Sequence, residues 1–349
     1  MPSVTMQAPL ITHALFIAAL ALPALAGAQA GAPQTMQAAA IDRGGGPEVL
    51  TLHTLPVPKV GADEILIALH AAGVGPWDAD VRKQPTYIKH ATLPLVLGVD
   101  GAGTVAAVGA KVRGFKVGDR VYSYTWDPPH GGYYAEYVAV PQQNVGHMPA
   151  GMSFEDAGAG AVTGLTAIQG IDDALHLKAG ETLIIHGAAG GVGSLALQFA
   201  RLRGARVLAT ASGDDGAKFV KGLGAEAVVD ARHGDIVAAA HEFAPAGVDA
   251  VLGLAGGDAL ERCLDALRPG GRLAFPSGVR PEPHARTGIR IVRYDALTGP
   301  QEFARLNAAI EASQLRVPIA AAFPLAEAAK AHERMEAGHV LGKIVLTIR

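Results

Sequence analysis

A glycine-rich turn in the middle of the chain has the residue types and the spacing that bind a phosphate. The apolar run Thr182–His186 leads into the sequence GAAGGVG, and apolar residues then recur at helical spacing. A helix that begins here directs unpaired amides and partial positive charge at whatever lies over the turn. Glycine is needed because a Cβ would hold a phosphate away from the backbone. The pattern predicts that a dinucleotide's pyrophosphate contacts Ala189, Gly190, Gly191, Val192 and Gly193.

The end of the next strand indicates which dinucleotide the turn accepts. A protein that binds NAD usually has a carboxylate there for the ribose hydroxyls, but this position is Ala211 or Ser212, and Lys218 follows. A carboxylate about 4 Å from a phosphate would repel it by on the order of a few kcal/mol. Asp214 and Asp215 come next, and we interpret them as a solvated turn. The sequence therefore favours NADPH over NADH, with Ser212 and Lys218 among its ligands.

The elements around the turn predict a parallel sheet with helices on both of its faces. From about residue 179 onward, short apolar runs alternate with helical segments. This context distinguishes the turn from a packing turn that binds no ligand. Gly204 can end the first helix in a left-handed conformation, and Cys263 lies on a later helical segment as a packing residue. The predicted strands are Thr182–His186, Arg206–Ala211, Ala227–Asp230, Val248–Gly253 and Arg272–Phe275.

The earlier part of the chain has a different pattern, with short strands separated by glycine and proline. This pattern, from about residue 36 to residue 149, predicts a compact β-rich domain. A last helix near Ala326–Ala337 and a final strand, Lys343–Ile348, follow the parallel unit. The strands predicted for the first part are Ala38–Asp42, Ile65–Val74, Gly103–Val108, Arg120–Tyr124 and Tyr134–Val140.

The composition excludes several classes of protein. The chain has 349 residues, of which half are apolar and 17% are charged, so it is expected to fold around a sizeable core. The formal net charge is -3 and there is no run of lysine or arginine, which argues against nucleic acid as a partner. The single cysteine excludes an internal disulfide.

The first thirty residues resemble a secretory leader. Leu10–Gly27 is almost wholly apolar, and small residues suited to cleavage follow at Ala26, Ala28 and Ala30. No lysine or arginine precedes the apolar segment, which is unusual for a signal peptide. We predict that residues 1–30 are a signal peptide for export to the periplasm, with no stable membrane insertion after its removal. The alternative is translation from Met36, which would give a cytoplasmic protein.

The glycine turn resembles that of the medium-chain dehydrogenase/reductase superfamily, in its zinc-free quinone oxidoreductase (zeta-crystallin-like) branch. The likeness extends from Met36 to Arg349 and includes AGVGPWD at 72–78, LGVDGAG at 97–103 and GKIVL at 342–346. It implies an α/β protein with a GroES-like β-rich domain (36–152 and 317–349) and a Rossmann doubly wound parallel-sheet domain (153–316). It also implies that the cofactor contacts Thr163, Ser277 and Lys343, and that two copies form a homodimer.

The resemblance also bears on whether the chain binds a catalytic metal. The branch usually has asparagine where this chain has Gly75, so a hydrogen bond on the substrate side is either missing or supplied from elsewhere. In the zinc-dependent relatives the first two ligands would fall at Gly75 and Val99, and neither residue can bind zinc. One cysteine cannot form a four-cysteine site. We therefore predict that the protein has no metal site.

Without a metal, the carbonyl compounds that accept a hydride most easily are quinones and other conjugated ones. The enzyme would mainly align the nicotinamide with the acceptor and exclude water. Tyr87, Trp126 and Tyr134 are candidates for the substrate pocket because each has a flat ring and a donor. The sequence does not identify a catalytic residue. It leaves open a reductase of enoyl-thioester or 2-alkenal double bonds, and an NADPH-binding protein without catalysis.

Overall fold

A computed structural model describes residues 1–3, 33–89, 91–127, 131–313 and 315–349 of the chain. The chain separates into two units, Met1–Gly31 and Ala32–Arg349. The predicted signal peptide, apart from its first three residues, lies outside the described residues. The second unit contains all of the strands and helices given below.

The described residues form two large sheets, a small sheet and the helices that cover them. In chain order the strands are β1 (Thr35–Ile41), β2 (Leu50–Pro56), β3 (Glu64–Val74), β4 (Leu95–Val96), β5 (Asp100–Val108), β6 (Arg120–Tyr124), β7 (Tyr137–Pro141), β8 (Val145–His147), β9 (Thr182–His186), β10 (Arg206–Ala211), β11 (Ala227–Asp230), β12 (Val248–Gly253), β13 (Leu267–Pro276), β14 (Arg290–Tyr294), β15 (Ile319–Pro324) and β16 (Lys343–Thr347). The helices are α1 (Pro76–Lys83), α2 (Phe154–Gln169), α3 (Gly191–Leu202), α4 (Gly213–Gly222), α5 (Ile236–Phe243), α6 (Asp258–Asp265), α7 (Pro300–Ser313) and α8 (Ala328–Glu336).

The second half of the chain forms the predicted parallel sheet. Its order is β11-β10-β9-β12-β13-β14, and each neighbouring pair is parallel. Every residue of β9 is buried, because helices cover both faces of the sheet. Leu183 and Ile185 pack in one core with Phe199 of α3, whereas Ile184 packs in another core with Leu260 of α6. Alternate residues of β9 therefore pack against helices on opposite faces of the sheet.

Most of the predicted strands in this sheet are confirmed. The strands β9 to β12 have the predicted bounds, whereas β13 begins five residues earlier than expected, at Leu267 rather than Arg272. Strand β14 was not predicted, because it is a short edge strand with two exposed arginines and no fully buried residue. Asp214 and Asp215 are exposed, as expected, but they do not lie in a turn outside a helix. Both lie in the first turn of α4, where carboxylates suit the positive end of the helix dipole.

The first part of the chain forms the β-rich sheet that the resemblance implies. Its order is β15-β16-β3-β5-β6-β8, with β7 also paired to β3. Strand β6 has the predicted bounds, and the other predicted strands are found with shifted ends. The final strand returns to this sheet, since Ile344 of β16 lies opposite Val74 of β3 in an antiparallel pair. The chain thus combines a GroES-like β-rich domain with a Rossmann-like parallel sheet.

The single cysteine and the helices have the environment and the lengths described next. Cys263 is fully buried on α6, as expected of a packing residue. Within the described parts of the chain, the helices are too short or too polar to cross a bilayer.

Candidate functional site

The glycine turn joins β9 to α3 and leaves the start of α3 open. Gly190 is the N-cap of α3, and no side chain of the described residues caps this helix. Gly187 has a φ of 82°, which glycine adopts most readily. A Cβ on Gly193 would lie 2.2 Å from the carbonyl oxygen of Gly187, whereas a Cβ on Gly190 would approach only that same oxygen, at 3.6 Å. Gly193 is therefore needed for packing, and Gly190 borders open space.

A cleft of about 460 Å³ lies over the start of α3. It is bordered by residues of the β-rich sheet, of the glycine turn that follows β9, and of the neighbouring helices and loops. The structure brings five predicted cofactor residues together here. These five are Thr163, Gly190, Gly191, Val192 and Lys343, and Gly75 and Trp77 also line the cleft.

The final strand closes one side of this cleft. The Gly342 amide donates to the carbonyl oxygen of Ala189 over 2.8 Å, and Gly342 forms an isolated parallel bridge with Gly190. The ammonium group of Lys343 donates to the carbonyl oxygen of Val74 over 3.1 Å and lies 4.6 Å from the centre of the Trp77 ring. Gly342, directly before the last strand, therefore holds the glycine turn, and the first residue of that strand places a buried cation beside the cleft.

A second cavity, of about 270 Å³, lies at the carboxyl end of β10. Ala211, Ser212, Arg232 and His339 line it. Lys218, which we predicted as a ligand, is instead exposed on α4 and is not among the described residues that line this cavity. The carboxyl ends of neighbouring parallel strands meet at one edge of a sheet, so Arg232, which follows the end of β11, could have been found by counting from that strand.

His339 contacts one of the carboxylates that complicated the sequence-based prediction. Its Nε2 lies 2.8 Å from Oδ2 of Asp215. The hydrogen bond from His339 lowers the pKa of Asp215, and the amide of Gly216 acts in the same direction. His339 has a positive φ of 50°, which is uncommon for a residue with a side chain. The sequence gives no signal for this contact, because it joins α4 to the segment after α8.

A buried histidine, His186, is linked to the glycine turn through the hydroxyl group of Thr210. The Gly187 amide donates to Oγ1 of Thr210 over 3.1 Å, and Oγ1 lies 2.9 Å from Nδ1 of His186. The Thr210 hydroxyl has one proton and two lone pairs, so it can accept from the Gly187 amide and form either hydrogen bond with Nδ1. Burial, reinforced by Arg262, lowers the pKa of His186 to about 4, so the ring is neutral at physiological pH.

Two buried carboxyl groups, those of Asp78 and Asp100, are both affected by the positive charge of Lys343. Asp78 accepts hydrogen bonds from the Gly75 amide (2.8 Å) and from the Tyr134 hydroxyl (3.0 Å). Burial raises the pKa of Asp78 to about 7, against the opposing charge of Lys343. Burial likewise raises the pKa of Asp100 to about 6, and Lys343 again opposes the shift.

The structure places the three predicted aromatic residues away from the cleft. Tyr134 is fully buried and its hydroxyl is bound to Asp78, so it has no surface with which to contact a substrate. This corrects the expectation for Tyr134. Tyr87 is 56% exposed, and Trp126 is 44% exposed beside a separate cavity of about 20 Å³. Trp77 is the aromatic residue that lines the cleft, and it lies in the same quoted loop as Gly75.

The structure also places Ser277, a predicted cofactor residue, and the two positions at which a zinc-dependent relative would have ligands. Ser277 follows β13, and its hydroxyl accepts a hydrogen bond from Nε of Arg293 over 3.0 Å. It lies outside the described lining of both cavities. Gly75 and Val99 are buried and offer no metal-binding atom in their side chains. Over the ranges that the structure describes, no group of three or more His, Cys, Asp or Glu residues is placed to hold a metal ion.

Comparisons with known proteins agree with this geometry. Two family models match the chain: "Alcohol dehydrogenase GroES-like domain" at residues 61–150 and "Zinc-binding dehydrogenase" at residues 223–346. A quinone oxidoreductase of Pongo abelii is 32% identical over 328 residues, which cover 90% of this chain and 98% of that protein.

Two solved structures are similar over nearly the same length. A crystal structure of an NAD-dependent alcohol dehydrogenase has a TM-score of 0.81 and 32% identity, and covers 90% of this chain and 100% of its own. A mycobacterial protein solved as a complex with NADPH has a TM-score of 0.80 and 31% identity, and covers 89% of this chain and 100% of its own.

Proposed function

The chain belongs to the quinone oxidoreductase branch of the medium-chain dehydrogenase/reductase superfamily, and we propose that it is a zinc-independent, NADPH-dependent enzyme that reduces a quinone or another small conjugated carbonyl compound. The observation that carries this proposal is the open start of α3 at the base of the cleft. A helix N-terminus of this kind holds an anionic phosphate. When NADPH is bound, it supplies a hydride from its nicotinamide ring.

The residues at the turn fit a dinucleotide. Gly190 leaves free space where its Cβ would be, and the first amides of α3 have no side-chain cap within the part of the chain that the structure describes. Lys343 adds a buried positive charge to the same cleft. We propose that Gly190, Gly191 and Val192 hold the pyrophosphate and that Thr163 and Lys343 contact the nicotinamide half.

The cavity at the end of β10 supports NADPH in preference to NADH. Arg232 and His339 provide cationic or hydrogen-bonding groups beside Ser212, where a 2′-phosphate would lie. Asp215 would repel a phosphate, but the Nε2 atom of His339 lies 2.8 Å from its Oδ2 and occupies one of its acceptor atoms. Of the two similar solved structures, one was solved with NADPH and the other is named as NAD-dependent, so the choice of NADPH rests on this cavity.

Two features support an acceptor that needs no metal. Gly75 has no side chain and the side chain of Val99 has no donor atom, so neither position can hold a zinc ion that would act as a Lewis acid on a carbonyl oxygen. The cleft is lined mainly by apolar surface, which suits a flat conjugated compound. The protein would exclude water and align the acceptor with the nicotinamide, and solvent can provide the proton that completes reduction.

The proposal is tested by binding and turnover. Fluorescence titration should show tighter binding of NADPH than of NADH. NADPH absorbance should fall when a panel of quinones and conjugated ketones is added, and less with 2-alkenals or enoyl thioesters. Turnover confined to the double-bond substrates would replace the acceptor class, and binding without turnover of any acceptor would contradict the enzymatic proposal.

The basis of cofactor choice has its own test. Arg232→Ala should weaken NADPH binding about tenfold, because it removes one partly screened charge beside the phosphate, and should leave NADH binding unchanged. Lys218→Ala is the comparison, since Lys218 is exposed and is not among the described residues that line the cavity. A larger effect of Lys218→Ala on NADPH affinity would show that the sequence-based ligand is the correct one.

A further inference from the structure

A buried arginine fixes the direction in which a neighbouring histidine donates and accepts hydrogen bonds. Arg82 of α1 is fully buried, and its Nη1 lies 2.8 Å from Nδ1 of His332 on α8. A guanidinium group only donates, so Nδ1 accepts and the histidine carries its proton on Nε2. Burial, reinforced by Arg82 and Lys83 against the charge of Glu336, lowers the pKa of His332 to about 3. The ring is therefore neutral at physiological pH.

Two further acceptors hold Arg82 in this arrangement. Its Nε donates to the carbonyl oxygen of Gly45 over 3.1 Å, and its Nη2 donates to Oε1 of Glu336 over 2.8 Å. The ammonium group of Lys83 lies 2.7 Å from the same oxygen of Glu336. A buried charge is tolerated when it is paired and hydrogen-bonded. The three contacts of Arg82 therefore keep its Nη1 against His332.

The direction of donation continues through a tyrosine to an aspartate. Nε2 of His332 lies 3.3 Å from the hydroxyl oxygen of Tyr134, and this hydroxyl donates to Oδ2 of Asp78 over 3.0 Å. Burial raises the pKa of Tyr134 above its usual range, so the hydroxyl keeps its proton and remains a donor. We call Arg82, His332, Tyr134 and Asp78 the buried network. Each hydrogen bond in it is donated towards Asp78.

Asp78 connects the buried network to the wall of the cleft. Its Oδ2 also accepts the Gly75 amide over 2.8 Å, and the residues from Val74 to Trp77 line the cleft. A Cβ on Gly75 would lie 2.3 Å from Cε2 of Trp77, so the ring packs directly against the backbone that Asp78 holds. Lys343 donates to the adjacent carbonyl oxygen of Val74 over 3.1 Å. Two buried charged groups therefore fix this part of the wall.

The contacts of Asp78 favour its ionised form. Oδ2 accepts two hydrogen bonds, whereas Oδ1 is buried and has no partner among the described residues, so a proton on Oδ1 would lack an acceptor. The charge of Lys343 also favours the carboxylate, while burial and the charge of Asp100 oppose it. The pKa of Asp78 is about 7 as a result, so its charge changes within the physiological range of pH.

We propose that His332 and Tyr134 are positioning residues, which hold Asp78 as the acceptor of the Gly75 amide and so fix the wall of the cleft on which the hydride acceptor binds. This inference rests on the proposed function. Both side chains are fully buried and lie outside the described lining of the cleft, so they act through Asp78. Hydride transfer requires close alignment of the nicotinamide and the acceptor, and a small displacement of the wall disturbs it.

The first test removes the hydroxyl that donates to Asp78. In Tyr134→Phe, the acid-side fall of kcat/KM for quinones should move to higher pH by about one pH unit, because the carboxylate loses a hydrogen bond. At pH 7 kcat/KM should then be about fivefold lower than in the wild type, and at pH 9 the difference should nearly disappear. A loss of the same size at every pH would overturn the proposal.

Tyr133→Phe is the matched control for this test. Tyr133 is as fully buried as Tyr134, but its hydroxyl contacts Ser123 at 2.6 Å and Thr125 at 3.2 Å and does not belong to the buried network. The control should keep the acid-side fall of kcat/KM at the wild-type pH. An equal movement in Tyr133→Phe and Tyr134→Phe would contradict the assignment.

The second test replaces the histidine. Glutamine can accept from Arg82 and donate to Tyr134, so His332→Gln should retain the wild-type pH profile. His332→Met can do neither and should resemble Tyr134→Phe. Equal pH profiles in the two His332 variants would count against the proposal. Tyr134→Phe decides it where His332→Met is too unstable to assay.

A fluorescence measurement separates this inference from the proposed function. The chain has two tryptophans, so Trp126→Phe leaves Trp77 as the only one. The emission of Trp77 should change with pH around a midpoint of about 7, without cofactor or substrate, and adding Tyr134→Phe should raise that midpoint. If the midpoint rises but the protein reduces no quinone, the function fails and the positioning role stands. If quinones are reduced and neither the midpoint nor the pH profile responds, the positioning role fails alone.

Discussion

The glycines of the phosphate-binding turn have different physical roles, although the motif treats them alike. Gly187 provides a positive φ. Gly193 allows α3 to approach the turn, since its Cβ would lie 2.2 Å from a carbonyl oxygen. Gly190 has no such constraint from the protein and borders the cleft. The space at Gly190 is therefore the place where a substitution can affect a ligand without disturbing the fold.

Gly190→Val should abolish NADPH binding and change the free energy of unfolding by no more than about 1 kcal/mol, because its side chain enters the space proposed for the pyrophosphate. Fluorescence titration and urea unfolding measure the two quantities. Gly222→Val is the matched control, since a Cβ there meets nothing within 4 Å. A folded Gly190→Val variant with normal NADPH affinity would show that the pyrophosphate binds elsewhere.

The buried carboxyl group of Asp78 should make the free energy of unfolding depend on pH. Its pKa rises from 3.8 to about 7 on folding, chiefly through burial, so the folded state binds the proton more tightly than the unfolded state. The free energy of unfolding should then fall as pH rises from about 4 to about 7, by at most about 4 kcal/mol. Asp78→Asn should flatten this slope, leaving the part due to Asp100. Urea unfolding at a series of pH values measures it, and equal slopes in both proteins would exclude Asp78.

At the scale of elements, β16 links the two halves of the site. It completes the β-rich sheet beside β3, and the residue before it, Gly342, contacts the glycine turn through the carbonyl oxygen of Ala189. The same strand provides Lys343. One short segment at the end of the chain therefore supports the fold of one sheet and the ligand site of the other.

Gly342→Ala should destabilise the protein by about 3 kcal/mol and weaken NADPH binding. Gly342 has a φ of 103°, and a Cβ would lie 2.3 Å from the carbonyl oxygen of Pro318, so both strain and collision oppose the change. Gly338→Ala is the comparison, because Gly338 has a φ of 72° with nothing within 4 Å of its Cβ. It should cost only about 1–2 kcal/mol. Equal losses in urea unfolding would mean that the contact with Pro318 relaxes freely.

At the scale of the whole molecule, the site exists only where the two sheets meet. The parallel sheet provides the phosphate-binding turn, Thr163 comes from α2, and the β-rich sheet provides Gly75, Trp77 and Lys343. Two carboxyl groups and one ammonium group are buried behind this wall.

Activity should survive prolonged treatment with a chelator, because the positions of the zinc ligands in related enzymes are Gly75 and Val99 here. Quinone reduction is measured before and after dialysis against EDTA, and zinc is measured by elemental analysis. A zinc-dependent alcohol dehydrogenase treated in the same way provides the control. Stoichiometric zinc in the purified protein, with activity lost on its removal and restored on its return, would refute the zinc-independent mechanism.

The sequence alone determined the features that depend on neighbours along the chain. Buried parallel strands are continuous apolar runs, so β9 to β12 were predicted with the bounds that the structure has. The glycine turn was identified because a strand, a turn and a helix follow one another directly. Position 75 was also marked as unusual, but the reason for its glycine lay in the volume of a side chain two residues away.

Only the tertiary structure decided which side chains meet across the fold. Arg232 and His339 reach one cavity from segments far apart in the chain, whereas the predicted Lys218 is exposed on α4 and is not among the described residues that line it. Tyr134 has the ring and the hydroxyl donor expected of a residue that contacts substrate, yet packing leaves it no exposed surface. Side-chain direction at a loop or helix depends on what packs against it, and residue type and spacing do not contain that information. Trp77 therefore became a site residue only once the cleft between the sheets was known.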